Sequence, residues 1–238
     1  MTRRLALLAA FALPALAFAA DDPEAKAGGE KPAADDLPRV LILGDSISIG
    51  YTPFVQELLK GEAEVVRPMN GKKPENCAGT TLGVKEIDRW LQIGGGWDVI
   101  HFNWGLHDLK RVDPKTGAAS NNAGDPRQAE VEVYEKQLRE IVAKLKATGA
   151  TLIYATTTPY PAGTKPRRDP EDAERYNAAA KKIMAENGIA IDDLHGFALP
   201  KLKEIQRPVN VHFTPAGSKA LAGEVAKHLR AALANPAK

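Results

Sequence analysis

The chain of 238 residues has one cysteine, Cys77, so it can form no intrachain disulfide and no multi-cysteine zinc site. It has no marked excess of either charge. Of its 32 Lys+Arg, Arg3 and Arg4 belong to a leader without acidic residues, which leaves 30 basic against 30 acidic groups. Such a balance carries no electrostatic footprint for nucleic acid or anionic lipid. Long hydrophobic runs are missing too: "LALLAAFALPALAFA" falls short of the roughly 20 residues that span a bilayer and contains Pro14. Gly94-Gly95-Gly96 has no Gly-Lys-Ser/Thr after it, so it is no phosphate loop and reads as a hinge.

What is present begins with that leader. Arg3-Arg4, the short apolar stretch and a small-x-small site at Ala17-Phe18-Ala19 read as a secretory signal peptide over residues 1–19. The expected location is therefore secreted or periplasmic, with no stable membrane anchor after cleavage. Residues 20–38, rich in Ala, Pro, Gly and both charges, read as a flexible linker with little to bury. Residues 39–238 are then long enough for one domain held by its core.

In that domain, the near-continuous apolar runs "RVLILGDS", "EAEVVRP", "WDVIHFNWG", "TLIYATTTP" and "IAIDDL" read as strands buried on both faces. Helical patterns separate them over residues 52–60, 80–92, 126–148 and 169–187. The third puts Val131, Tyr134, Leu138, Ile141, Val142 and Leu145 on one stripe. Thr214-Pro215 supplies an N-cap and first-turn proline for a closing helix through Leu233. Repeated strand–helix alternation implies a three-layer, doubly wound α/β fold with a five-stranded parallel sheet.

Such sheets place their sites at the carboxyl ends of strands. Those ends are Ser46, the loop 70–80, the loop 105–108 and residues 156–160. A serine hydroxyl needs a base to take its proton. Of the five histidines, His101 lies inside a strand, His228 on the last helix and His195 at the far edge. His212, just before a helix cap, is the best-placed base. Residues 110–125 read as a polar surface loop at the same edge.

"GDSISIGY", "GLHD" and "VHFTPAG" resemble, in order and spacing, the first, third and fifth blocks of the SGNH, or GDSL, hydrolase superfamily. The similarity runs from about Arg39 to the C-terminus. The resemblance implies a flavodoxin-like sheet and ester hydrolysis without a cofactor or metal, with Ser46 as nucleophile and His212 as base. Two positions depart from the pattern. His107 stands where the family has an oxyanion-binding asparagine; an imidazole N–H can take that role. Val209 stands where the family has the aspartate that orients the base. The orienting group is then the Val209 carbonyl, Asn210, or Asp192 or Asp193 from another loop; a Ser–His dyad held by a backbone carbonyl is the preferred form.

For the second block, Gly71, Ala78 and Gly79 compete. Gly79 is chosen because it precedes a helix start with outward N–H groups, and Asn76 could add a donor. Cys77 reads as a small apolar filler. Asp45 and Asp108 read as ties between site loops and backbone N–H groups. Trp90, Trp97 and Trp104 fit packing positions, with Trp104 a candidate wall of the site. "GTKPRRDP" reads as a solvated loop whose Arg167 or Arg168 could meet an acidic substrate.

The expected function is a secreted serine esterase acting on small acyl groups, acetyl above all, carried by a carbohydrate or small-molecule alcohol. The alternatives are a catalytically weak glycan-binding protein on the same fold and a lipid or lysophospholipid acylhydrolase. A flavin carrier is disfavoured because "GDSISIG" is poorly made for a phosphate.

Overall fold

The computed structural model describes residues 37–235. The signal peptide and nearly all of the linker therefore lie outside the described residues. Strand β1 (Arg39–Leu43) leads through a tight turn into α1 (Ser46–Leu58), and β2 (Glu64–Val66) follows. A small antiparallel hairpin, β3 (Met69–Asn70) and β4 (Lys73–Pro74), precedes α2 (Thr80–Leu91). Then come β5 (Val99–Phe102), α3 (Val131–Lys146), β6 (Thr151–Ala155), α4 (Asp172–Asn187) and β7 (Ala190–Asp192). The chain closes with two short helices, α5 (Leu194–Ala198) and α6 (Leu202–Ile205), and with α7 (Pro215–Ala234).

The main sheet is parallel throughout, in the order β2-β1-β5-β6-β7. Its middle strands are apolar on both faces because helices cover both. Val40 to Leu43 and Val99 to Phe102 are buried without interruption. Helices α1 and α7 pack together on one face, and α2, α3 and α4 pack in sequence on the other. The chain steps one way from β1 to β2, then back past β1 to β5; right-handed crossovers put the two sets of helices on opposite faces. The order reverses between β1 and β5. Ligands of open α/β sheets bind beyond the strand ends at such a point, and Ser46 follows β1 there.

The α3 stripe expected from the sequence is buried in full. Three helix starts differ from expectation. Helix α1 begins at Ser46 rather than Thr52, because the Asp45 carboxylate accepts from Ile47 N–H at 2.8 Å and caps the helix early. Pro53 therefore sits inside it. Helix α3 begins at Val131 rather than Pro126, since Pro126 and Gln128 are pulled into pairing with Val112 and Lys110. Helix α4 begins at Asp172 rather than Asp169, whose side chain is taken by Arg111 and Arg167.

Candidate active site

Four loops build the site, and the turn after β1 is the most tightly held. Besides the Asp45 cap, Ser48 Oγ donates to Asp45 O at 2.7 Å. Arg67, at the end of β2, reaches under the turn: its guanidinium donates to Ser48 Oγ (3.2 Å), Thr52 Oγ1 (3.0 Å), Gly44 O (3.4 Å) and Glu75 O (2.9 Å). Burial raises the Asp45 pKa above the usual carboxylate range, against the Ile47 N–H and the charges of Arg168 and Arg67. Ser46 is the first residue of α1. Its N–H therefore has no carbonyl within the helix to serve it and points out of the helix end.

Facing it, the loop between α6 and α7 carries His212. Gln206 anchors this loop by donating from Nε2 to Pro159 O (2.8 Å) and Val211 O (3.0 Å), and Arg207 N–H donates to His212 O. Thr214 then caps α7 by accepting from Gly217 N–H. His212 Nε2 lies 2.9 Å from Ser46 Oγ, and its Nδ1 lies 2.8 Å from Asn210 Oδ1. The same amide oxygen accepts the backbone N–H of His212 at 2.9 Å.

That last bond fixes the tautomer. A backbone N–H can only donate, so the atom of Asn210 facing it is oxygen. His212 Nδ1 faces the same oxygen and must carry the ring proton. Nε2 is left with its lone pair toward the Ser46 hydroxyl, as a base requires. The group that orients His212 is thus the Asn210 side chain, which corrects the expectation of a backbone carbonyl.

The aspartates considered for this task are occupied elsewhere. Asp192 Oδ2 pairs with buried His101 at 3.0 Å, and its other oxygen lies 3.6 Å from His228. Asp193 caps α5 and binds Thr156 and Lys181. Without a carboxylate beside it, His212 has its pKa lowered from the ordinary imidazole value by desolvation and by the charges of Arg207 and Arg168.

The loop after β5 turns at Gly105 (φ 148°), where an added Cβ would collide with Thr157 Oγ1. His107 follows. Burial, with the charges of Lys110, Arg168 and His212, pushes its pKa down to about 3. The ring is therefore neutral over the working range and keeps one N–H, which donates to no other described residue. Asp108 accepts from Thr80 N–H (2.7 Å) and Thr80 Oγ1 (2.6 Å), tying this loop to the start of α2.

Gly79 caps that helix. A Cβ there would stand 2.6 Å from Gln128 Nε2 and 2.8 Å from Asp108 Oδ1, so only glycine lets the loops approach this closely. Asn76 does not extend into the site through its oxygen: Oδ1 accepts from Ala78 N–H at 2.9 Å and shapes its own turn.

Trp104 keeps the packing position expected of it: it is fully buried, stacks on Trp90 and donates to Cys77 O, so it belongs to the core and walls nothing. One further reading changes. Arg168 is not on a solvated loop. It is 6% exposed, with Nε on Leu106 O (2.9 Å) and Nη1 on Pro166 O (3.0 Å). Burial pushes the Cys77 thiol up to about 12, which suits a filler and not a nucleophile. Arg67 was not singled out in the sequence; the signal available was a cation directly after an apolar strand, in "VVRP".

Ser46 and His212 open on a groove of about 270 Å³ that Arg207 and Phe213 also line. Away from it, Asp192, Glu224 and His228 each bring one possible metal-ligand atom within 4.8 Å of the others.

The GDSL-like lipase/acylhydrolase family model matches residues 42–220. No curated protein matches the chain in sequence. Among solved structures, a lipase/acylhydrolase from Enterococcus faecalis is 17% identical with a TM-score of 0.64, over 85% of this chain and 99% of that one. A carbohydrate esterase family 3 protein from Talaromyces cellulolyticus is also 17% identical, with a TM-score of 0.62, over 84% and 99%. An acetyl xylan esterase is 15% identical with a TM-score of 0.62, over 80% and 99%. At these identities the likenesses speak to the fold.

Proposed function

Since the chain belongs to the GDSL-like lipase/acylhydrolase family and is thereby a hydrolase acting on esters, we propose that it is an exported serine esterase removing small acyl groups, acetyl in particular, from carbohydrate. In this reading Ser46 Oγ attacks the ester carbonyl while His212 Nε2 takes its proton. The oxyanion that forms is met by the N–H groups of Ser46 and Gly79 and by the His107 ring. His212 then returns the proton to the leaving alcohol, and the acyl group stays on Ser46. A water molecule, deprotonated by the same imidazole, releases the acid and restores the enzyme.

The observation that carries this reading is the 2.9 Å contact between Ser46 Oγ and His212 Nε2, in the tautomer that Asn210 imposes. The neutral state of His107 supports its part: a protonated ring beside Arg168 would be costly, whereas the neutral one still donates. The acetyl-carbohydrate preference draws on structural neighbours that include an acetyl xylan esterase and a carbohydrate esterase family 3 protein. The described residues hold no helix long and apolar enough to cross a membrane. Export rests on the leader in the sequence.

Hydrolysis of p-nitrophenyl acetate by the parent and by Ser46→Ala tests the mechanism, with release of acetate from acetylated xylan as the second substrate. Equal rates from parent and variant would end it and favour the glycan-binding alternative.

A further inference from the structure

Among the described residues, every arginine except Arg67, Arg168 and Arg207 has a carboxylate oxygen within 4.0 Å. The three exceptions all stand at the catalytic rim. Arg67 is consumed beneath the Ser46 turn by two hydroxyls and two backbone carbonyls. The other two line cavities. Arg207 is exposed and lines the groove with Ser46 and His212. Arg168 is buried, spends Nε and Nη1 on neutral carbonyls, and lines a second cleft, of about 370 Å³.

That cleft is basic in effect. Lys165 and Arg167 also line it, and its one acidic residue, Asp169, is already held by Arg111 and Arg167. Removing a guanidinium from water without a counter-ion is costly. A chain that pairs its other arginines but gives Arg168 and Arg207 no carboxylate presents an anion site whose partner comes with the ligand. Arg207 shares its groove with Ser46 and His212, and Arg168 holds the carbonyl of Leu106, the residue before His107, so both cations stand among the residues of the site.

We infer that the alcohol part of the substrate carries a carboxylate, as in an O-acetylated uronate, and that Arg207 and Arg168 bind it while Ser46 attacks the neighbouring ester. The planar guanidinium fork suits a carboxylate in particular. This inference rests on the esterase reading for its orientation, but its test needs no turnover.

The test is calorimetric binding to full-length Ser46→Ala of an O-acetylated methyl glucuronoside and of its carboxyl methyl ester, a neutral twin of nearly equal shape. The acid should bind about tenfold tighter or better at low salt, with the preference shrinking as salt is added. Arg207→Gln and Arg168→Met, each made in the Ser46→Ala background, should bring the ratio toward one. Equal binding of the twins, or a preference that survives both substitutions, overturns the inference. Should Arg168→Met fail to fold, Arg207→Gln decides alone, because that side chain is exposed. Failure here leaves the p-nitrophenyl acetate result standing, so the two readings fall separately.

Discussion

The two halves of the site are built to different standards. The Ser46 turn is buried beneath, capped by Asp45, and held by Ser48 and by four donations from Arg67. The His212 loop is exposed at Arg207, Pro208 and Val209, and the imidazole hangs from one neutral amide. The first half fixes where the nucleophile is. The second fixes which ring nitrogen carries the proton, and does so without a charge. A carboxylate in the place of Asn210 would orient the ring and also stabilise the imidazolium that forms during attack; an amide gives only the first. The expected consequence is an enzyme with a well-placed but less basic catalyst.

The comparison breaks at once if either half proves dispensable. Ser46→Ala and His212→Ala should each lower kcat/KM for p-nitrophenyl acetate by about 10³-fold or more, and the double variant by no more than the worse single one, since the pair acts as a unit. Additive losses in the double variant would mean that the two residues do not cooperate. Next in size is His107→Leu, which removes a neutral donor without adding charge. Loss of one oxyanion donor costs about 10²–10³-fold in kcat, and KM should change far less. A rise in KM at constant kcat would place His107 in ground-state binding instead.

Asn210 sharpens the comparison from the base side. Asn210→Ala should cost about 10²-fold, within the range of general-base catalysis, as the ring loses its tautomer and orientation. Asn210→Asp tests the missing charge by pH. His212 must be neutral to act, and desolvation with Arg207 and Arg168 depresses its pKa. The acid limb of the parent profile should therefore lie below the ordinary imidazole value of about 6.5. Asn210→Asp places a negative charge beside Nδ1, favours the imidazolium, and should move the limb to higher pH. A limb that stays in place in this variant would show that residue 210 does not face the titrating group.

Much of this was legible in the sequence because backbone geometry writes itself into residue type. The buried middle strands, the α3 stripe and the Ser46 turn follow from continuous apolar runs, a period of 3.6 and a Gly-Asp-Ser step, whereas the edge strands β2 and β7 are only partly buried. What failed were relations settled only by distance. Val209 suggested a base without its acid, and nothing in "RPVNVH" tells whether a carbonyl or the Asn210 amide replaces it. "TKPRRDP" resembles surface charge because pattern cannot say that Arg168 turns inward to Leu106 O while Arg167 pairs with Asp169.

The smallest effect lies in the backbone of each half. Ala78, beside the Gly79 cap, and Val209, beside Asn210, are the described non-glycine residues with positive φ, at 47° and 49°. An L-residue there carries roughly 1–2 kcal/mol of strain, and a β-branched side chain fares worse than a methyl. Glycine removes the strain but adds about 0.4–1 kcal/mol of unfolded-state entropy to be overcome. Ala78→Gly should therefore be close to neutral, and Val209→Gly should stabilise by about 1 kcal/mol, read as a higher denaturant midpoint at unchanged m-value. Val209 is 58% exposed, so little packing is lost with its side chain. If Val209→Gly is instead destabilised and its kcat falls with it, the branched side chain is part of what presents Asn210 to the imidazole. The looser half of the site would then be held by more than one amide.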